Sequence, residues 1–195
     1  MALAGTQTEK NIITAFAGES QARNRYIFYA SAASKEGYEL ISYIFTETAN
    51  QEKEHAERLF KFIDRAECAE IEITAAFPAG IYDTVTNLLN SAEGENFETN
   101  VMYPNYAKVA REEGFNDIAI SMENIAVAEA YHEKRFKKLA KLIESGKMFK
   151  KDEPILWRCR NCGWVGKLTG APEFCPACKH PQKYFEALEE NLFEL

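Results

Sequence analysis

The sequence predicts a mainly α chain: a four-helix bundle followed by a small metal-bound β domain. Three observations carry that expectation. Four long runs repeat apolar residues at three- and four-residue steps, the first three quarters are rich in acid, and two Cys-x-x-Cys pairs lie near the C-terminus. With 195 residues, 46% of them hydrophobic, the chain suits one large core and one small satellite.

The first run covers residues 8–34, with Ile12, Ile13, Phe16, Ala22, Tyr26, Ile27, Tyr29 and Ala30 in its pattern. Thr8 is the expected N-cap and Gly37 the stop. The second covers 38–64, carried by Ile41, Ile44, Phe45, Leu59 and Phe62. A third runs from Thr84 to Gly114, where Pro104 should kink or divide it, and a fourth from Phe115 to about Ser145, stopped by Gly146. Short turns join the first to the second and the third to the fourth, so each pair is an antiparallel hairpin. Residues 65–83 lack a helical period and contain Pro78 and Gly80, which suits the long crossover of a ferritin-like bundle. The bundle is expected over residues 1–150 and the second domain over 154–195. Between them, Lys147 to Glu153 reads as a charged, solvated linker with little apolar surface.

The two hairpins look like copies of each other. A shift of 77 positions lays Lys35-Glu36-Gly37-Tyr38 on Glu112-Glu113-Gly114-Phe115. It also lays Glu52 on Glu129, His55 on His132, Arg58 on Arg135, Tyr26 on Tyr103 and Tyr29 on Tyr106. So many matches in one register indicate an internal duplication with a pseudo-twofold axis. The register slips once: Glu19 falls on Asn96, between Glu95 and Glu98.

The formal charge of -7 belongs wholly to residues 1–153, because five basic and five acidic residues balance from Pro154 onward. Such a chain is a poor match for nucleic acid, whose phosphates need a basic face. No run approaches the roughly 18 apolar residues of a membrane span, and the N-terminus lacks an apolar signal core, so the chain reads as cytoplasmic.

Much of the acid is expected to point inward. Glu52-x-x-His55 and Glu129-x-x-His132 each set a carboxylate and an imidazole one turn apart on a helix face. Opposite stand Glu19, which interrupts the stripe of Phe16 and Ala22, and Glu95 with Glu98 on the third helix. Most helical glutamates are solvated, and one Glu-x-x-His is a weak signal; the shared offset sets these apart. A buried carboxylate is costly unless paired or metal-bound, and several facing one another cost far more. Two ferric ions would offset them, in the general pattern of di-iron carboxylate bundles: one Glu from each of two helices, and Glu-x-x-His from each of the others. Oxygen and imidazole donors suit iron or manganese.

Cys159-Arg160-Asn161-Cys162 and Cys175-Pro176-Ala177-Cys178 form two knuckles able to close a tetrahedral thiolate site. A domain of about 40 residues needs such a metal to hold its fold. Trp157, Trp164, Phe174, Tyr184 and Phe185 are expected to give an aromatic shell. Spacing does not separate iron from zinc. Cys68 reads as an unpaired structural thiol, and His180 as a solvated or hydrogen-bonded residue beside a site already complete.

The strings AFAGESQARNRY, ETANQEKEH, NIAVAEAYHEKRF and CRNCG…GAPEFCPAC resemble those of rubrerythrins, and the resemblance covers essentially the whole chain. It implies a ferritin-like di-iron bundle with a C-terminal rubredoxin-like domain. The implied di-iron ligands are Glu19, Glu52, His55, Glu95, Glu98, Glu129 and His132. They exceed the usual six because one iron of the family exchanges a glutamate for a histidine on reduction, here Glu98 and His55 by position. A third iron falls on Cys159, Cys162, Cys175 and Cys178. Tyr26 and Tyr103 are implied to hydrogen-bond ligand carboxylates, and with Glu98 and His55 they are the expected catalytic residues.

The implied activity is that of an oxidative-stress peroxidase, reducing hydrogen peroxide to water at the iron pair. Electrons would come through the rubredoxin-like centre from rubredoxin or an NAD(P)H reductase; the chain has no Gly-x-Gly-x-x-Gly of its own. A head-to-tail homodimer is expected too, since the C-terminal domain begins roughly 20 Å from the irons along its own bundle. The rivals are a ferroxidase or iron-handling protein with a structural tetrathiolate domain, a binding module with a zinc ribbon, and an oxygenase.

Overall fold

The computed structural model describes residues 2–64 and 67–188. Arg65 and Ala66 of the expected crossover, and residues 189–195 of the expected second domain, lie outside the described residues. Helices α1 (Gln7–Lys35) and α2 (Glu39–Phe60) form the first hairpin. In the second, α3 (Thr84–Phe97), a π-helical segment (Glu98–Met102) and α4 (Tyr103–Glu112) make one long helix, which packs on α5 (Asn116–Glu144). Strands β1 (Lys150–Cys159), β2 (Val165–Gly170) and β3 (Phe185–Ala187) follow as an antiparallel sheet in the order β2-β1-β3. No helix among the described residues is long and apolar enough to cross a membrane.

Thr6, not Thr8, caps α1, its side chain accepting from the Glu9 N–H at 3.1 Å. Thr8 is already helical, and it has a different partner: its N–H and hydroxyl both donate to the Glu113 carboxylate, at 2.8 and 2.6 Å. Glu36 does the same for α3, accepting from the Thr84 N–H at 3.0 Å. The turn of each hairpin thus satisfies the orphan amides at the start of the other hairpin, which locks the two together. Gly37 and Gly114, at φ +89° and +82°, make those turns possible by ending α1 and α4 in the left-handed region.

The Thr8 hydroxyl and amide hold the Glu113 carboxyl below its ordinary value of 4.5. A lowered acid adds stability that is present above that value and lost as pH falls through the lowered one. Glu113→Gln should therefore reduce the acid loss of stability seen in denaturant titrations at successive pH values. The same change at exposed Glu112 serves as the control and should not.

Pro104 divides the third helix, as expected, but through the turn before it. Proline offers no N–H to the carbonyl one α-turn back, and the chain absorbs the loss in the π-helical segment immediately upstream. A π turn holds one extra residue. That residue explains the slip in the repeat: Thr8, Asn11, Gly18 and Glu19 match Thr84, Asn87, Gly94 and Glu95 at 76 positions, while Tyr26 and Tyr103, past the turn, match at 77.

The bundle core is split in two. One apolar cluster gathers Tyr26, Ile41, Phe45, Leu88 and Phe136; the other gathers Ile12, Leu59, Tyr103, Ile118 and Met122. Full burial of such side chains contributes about 1.5–3 kcal/mol each. That surplus offsets the polar layer lying between the clusters.

Lys150 to Glu153, read from sequence as linker, are instead the first residues of β1, with Lys150 paired to Gly170. Nor does the connection lack apolar surface. Met148 is buried in the bundle core, and the Phe149 ring stacks on Tyr38 at 6.2 Å and 4°. The small domain docks on the start of α2, where Lys183 Nζ lies 2.7 Å from Glu39 Oε1 and the Arg160 guanidinium sits 4.5 Å over the Tyr43 ring. Trp157 and Phe185 form its core with Ala171, Cys159 and Cys175, flanked by Trp164 and Tyr184. Phe174 of the expected shell is 56% exposed, because the isolated bridge to Pro181 holds its backbone outside the sheet.

Candidate metal centres

Four helices deliver six of the seven expected bundle ligands to the layer between the apolar clusters. They form two overlapping groups, Glu19, Glu52, His55 and Glu129, and Glu52, Glu95, Glu129 and His132; within each, the ligand atoms lie within 4.8 Å of one another. Glu52 and Glu129 belong to both. His55 Nδ1 is 2.8 Å from Glu129 Oε1 and 3.0 Å from Glu52 Oε2. His132 Nδ1 is 2.7 Å from Glu129 Oε2 and 3.2 Å from Glu52 Oε1. Each central carboxylate thus offers one oxygen to each side, and each side adds one histidine and one further acid. Glu98 belongs to neither group. It opens the π-helical segment, half-buried beside the layer.

Glu19, Glu52, Glu95 and Glu129 are 0–1% exposed. Glu19 Oε2 and Glu95 Oε2 nevertheless have no hydrogen-bond partner, and the Glu52 and Glu129 oxygens face only the two imidazoles. Buried polar atoms are rarely left so, and orphaned lone pairs converging on two points fit two cations. The donor set, all carboxylate oxygen and imidazole nitrogen, fits iron.

Burial pushes the Glu19 and Glu95 carboxyls well above the usual range, and the neighbouring carboxylates push them further. Burial would raise Glu52 too, but hydrogen bonds from His132 and His55 bring it down to about 2. Burial would lower the histidines, yet the Glu129 and Glu52 carboxylates lift His55 to about 10 and His132 to about 9. Without metal, the acid layer thus favours the protonated form of both histidines. A raised histidine contributes stability below its ordinary 6.5 and loses it as pH rises through 9 to 10. The raised glutamates act in the same sense, and Glu52 in the opposite sense only below 4.5. Chelator-stripped protein should therefore lose thermal stability as pH rises from 6.5 toward 10, while iron-loaded protein, its ligands already deprotonated, loses little. Melting curves across that range check this, and a flat metal-free profile counts against the imidazolium pairing.

The tyrosines reach across the pseudo-twofold axis. Tyr26 on α1 donates to Glu95 on α3, and Tyr103 on α4 donates to Glu19 on α1. His132 Nε2 lies 2.9 Å from Gln51 Oε1, which fixes the ring with Nδ1 toward the acids. Gln51 was missed from sequence: it falls on Ala128 in the repeat, so the duplication gives no signal for it. Arg135 bonds Glu47 and Thr48 of α2, both at 2.5 Å, and is buried, whereas its repeat partner Arg58 is exposed and bonds Ser121.

All four expected cysteines converge, with Cys159 Sγ 3.8 Å from Cys178 Sγ and Cys162 Sγ 3.7 Å from Cys175 Sγ. These are the edges of a tetrahedron around a metal at about 2.3 Å from each sulfur. The knuckles match in detail. The Gly163 and Lys179 N–H groups return to the Cys159 and Cys175 carbonyls, and both residues have positive φ. The His180 amide donates to the Cys178 sulfur and brings that thiol down to about 6. The His180 ring stands outside the site, 3.3 Å from Asn161 Nδ2 and edge-on to Tyr184. Cys68 is exposed and belongs to no such group among the described residues.

Residues 10–140 match the family described as Rubrerythrin, and residues 157–186 match the family described as Rubrerythrin, rubredoxin-like domain. The chain is 56% identical to a rubrerythrin of Nitratidesulfovibrio vulgaris over 97% of its own length and 98% of that protein's. It is 53% identical to a rubrerythrin of Porphyromonas gingivalis, over 96% of this chain and 92% of that one. Among solved structures, nigerythrin in a mixed-valence state matches with a TM-score of 0.64 at 29% identity, covering 95% of this chain and 90% of that one.

Proposed function

Because this chain belongs to the rubrerythrin family, with a di-iron site in its bundle and an iron-tetrathiolate site in its rubredoxin-like domain, we propose that it is a non-haem di-iron peroxidase. The observation that carries the reading is the sharing of Glu52 and Glu129 between two ligand groups, with a second redox centre docked on the same bundle. When bound, two ferrous ions supply the two electrons that split an O–O bond and polarise its oxygens. The reaction balances as one hydrogen peroxide, two electrons and two protons to two waters.

The residues have separable roles. Glu52 and Glu129 would contribute to both metal positions, and Glu19 and Glu95 would complete the two sides with His55 and His132. Tyr26 and Tyr103 hold the outer carboxylates through their hydroxyls, and Gln51 holds His132; such outer partners orient ligands. Glu98 and His55 would be alternative donors to one iron of the pair. Cys159, Cys162, Cys175 and Cys178 hold the iron that returns electrons one at a time, drawn from rubredoxin or an NAD(P)H reductase in a reducing cytoplasm.

The working unit in this reading is a head-to-tail homodimer. Phe28, Phe60, Phe97 and Val127 are each more than half exposed on the bundle, which suits burial against a second copy. The test is anaerobic, ferrous-loaded protein given hydrogen peroxide with NADH and a reductase. Catalytic consumption of both substrates supports peroxidase action. Oxygen-dependent iron oxidation in a parallel aerobic run, without peroxide turnover in the anaerobic one, would favour the ferroxidase alternative.

A further inference from the structure

A cavity of about 700 Å³ opens between α1, the crossover and α3, with Gly18, Gly94, Phe97, Glu98 and Arg25 among its walls. It abuts the acid layer, since Gly18 and Gly94 immediately precede Glu19 and Glu95. It is open at Gly94, where an added Cβ would meet no atom within 4 Å. Arg25 is only 8% exposed, yet its Nε and Nη1 find no acceptor. Its guanidinium instead stands 5.5 and 6.0 Å from the Tyr26 and Tyr29 ring centroids. Buried guanidinium donors are normally paired, because desolvating them alone is unfavourable. Among the seven expected ligands, Glu98 alone lies outside both ligand groups, and it shares this cavity with Arg25. Burial and the neighbouring carboxylates raise its carboxyl, and the Arg25 charge acts in the opposite direction.

We propose that Arg25 is a positioning residue: its unpartnered N–H groups receive the Glu98 carboxylate when that side chain is off the iron pair, and the cavity is the space in which it swings. The proposal rests on the reading that Glu98 and His55 exchange on one iron. His55 already stands among the central acids while Glu98 stands apart, which is the arrangement in which a receiver is needed. A guanidinium suits the role because it stays charged and either unpartnered donor can take a carboxylate oxygen. Pairing requires a rotation of the Glu98 side chain into space that the cavity leaves open.

The test compares full-length, iron-loaded wild type, Arg25→Gln and Arg25→Lys, with two readouts. One is the reduction potential of the iron pair by redox titration, and the other is the Glu98 position in crystals of the fully reduced protein. A cation that stabilises the displaced carboxylate favours the reduced state. Arg25→Gln should therefore lower the potential and leave Glu98 on iron or spread over several positions, and Arg25→Lys should recover part of the shift. Gly94→Leu, which fills the cavity from α3, should shift both readouts the same way and serves if Arg25→Gln does not fold. An unchanged potential in Arg25→Gln overturns the role of Arg25. So does a lowered potential with Glu98 displaced to its wild-type position, which reports only a lost charge. If Glu98 stays on iron in the reduced wild type, the exchange reading fails first, and the proposal with it.

Discussion

Glu52→Ala should empty both metal positions of the bundle and abolish peroxide turnover, while the colour of the tetrathiolate centre survives. Glu52 gives Oε2 to the His55 side and Oε1 to the His132 side, so its loss removes a ligand from both groups at once. Loss of a residue that only orients a ligand typically costs about 10–100-fold in affinity or activity. Gln51→Ala, which frees the far nitrogen of His132, should fall in that range. Glu52→Ala should exceed it, with bundle iron below detection by metal analysis and turnover lost. The apolar clusters on either side of the layer do not include Glu52, so the metal-free variant should stay helical by circular dichroism. The cysteine domain touches the bundle at Glu39 and Tyr43, more than two helical turns away, so its visible spectrum is unaffected. Retention of two bundle irons in this variant would contradict the bridging role.

The features legible in the sequence are those carried by repetition. Glu52 and Glu129, His55 and His132, and Tyr26 and Tyr103 share one offset, and each pair occupies equivalent places in the structure. The cysteine knuckles were legible because Cys-x-x-Cys fixes its own local turn. Features without a repeat were lost. Gln51 has alanine at the matching position, and the burial of Arg135 is not shared by Arg58. The cap of α1 was misplaced by two residues because Thr6 and Thr8 both satisfy the sequence preference, and only the distant Glu113 carboxylate shows which one lies inside the helix. The single-residue slip at Asn96 was visible but had no cause until the π-helical segment supplied one. That segment also places Glu98 apart from the other acids, so one irregular turn accounts for both the broken register and the odd seventh ligand. The linker was misjudged because its lysines conceal Met148 and Phe149, whose burial depends on a bundle surface that local pattern does not report.

Cys159→Ser and Glu129→Ala should each lack donor-driven peroxidase activity, and mixing their subunits should restore it. The first keeps an intact iron pair without its wire; the second keeps the wire without a pair. Within one chain, the small domain meets α2 at Tyr43, nine residues before Glu52, which is a rise of about 14 Å along the helix before the width of the small domain is added. The thiolate centre has an accessible side: Cys162 is exposed, and so is Phe174, which precedes Cys175 in the chain. A second bundle meeting that side would bring its own iron pair to the centre without crossing the length of α2. In a head-to-tail dimer each mixed pair then holds one working path. Equal mixing should yield about a quarter of the wild-type rate, since half the dimers are mixed and each carries one path of two. Pre-reduced Cys159→Ser protein should still consume a single equivalent of peroxide, which separates loss of the wire from damage to the bundle. If subunits demonstrably exchange, by mass tagging, and no activity returns, electrons travel within one chain along the Arg160–Tyr43 contact, and the dimer has no part in the relay.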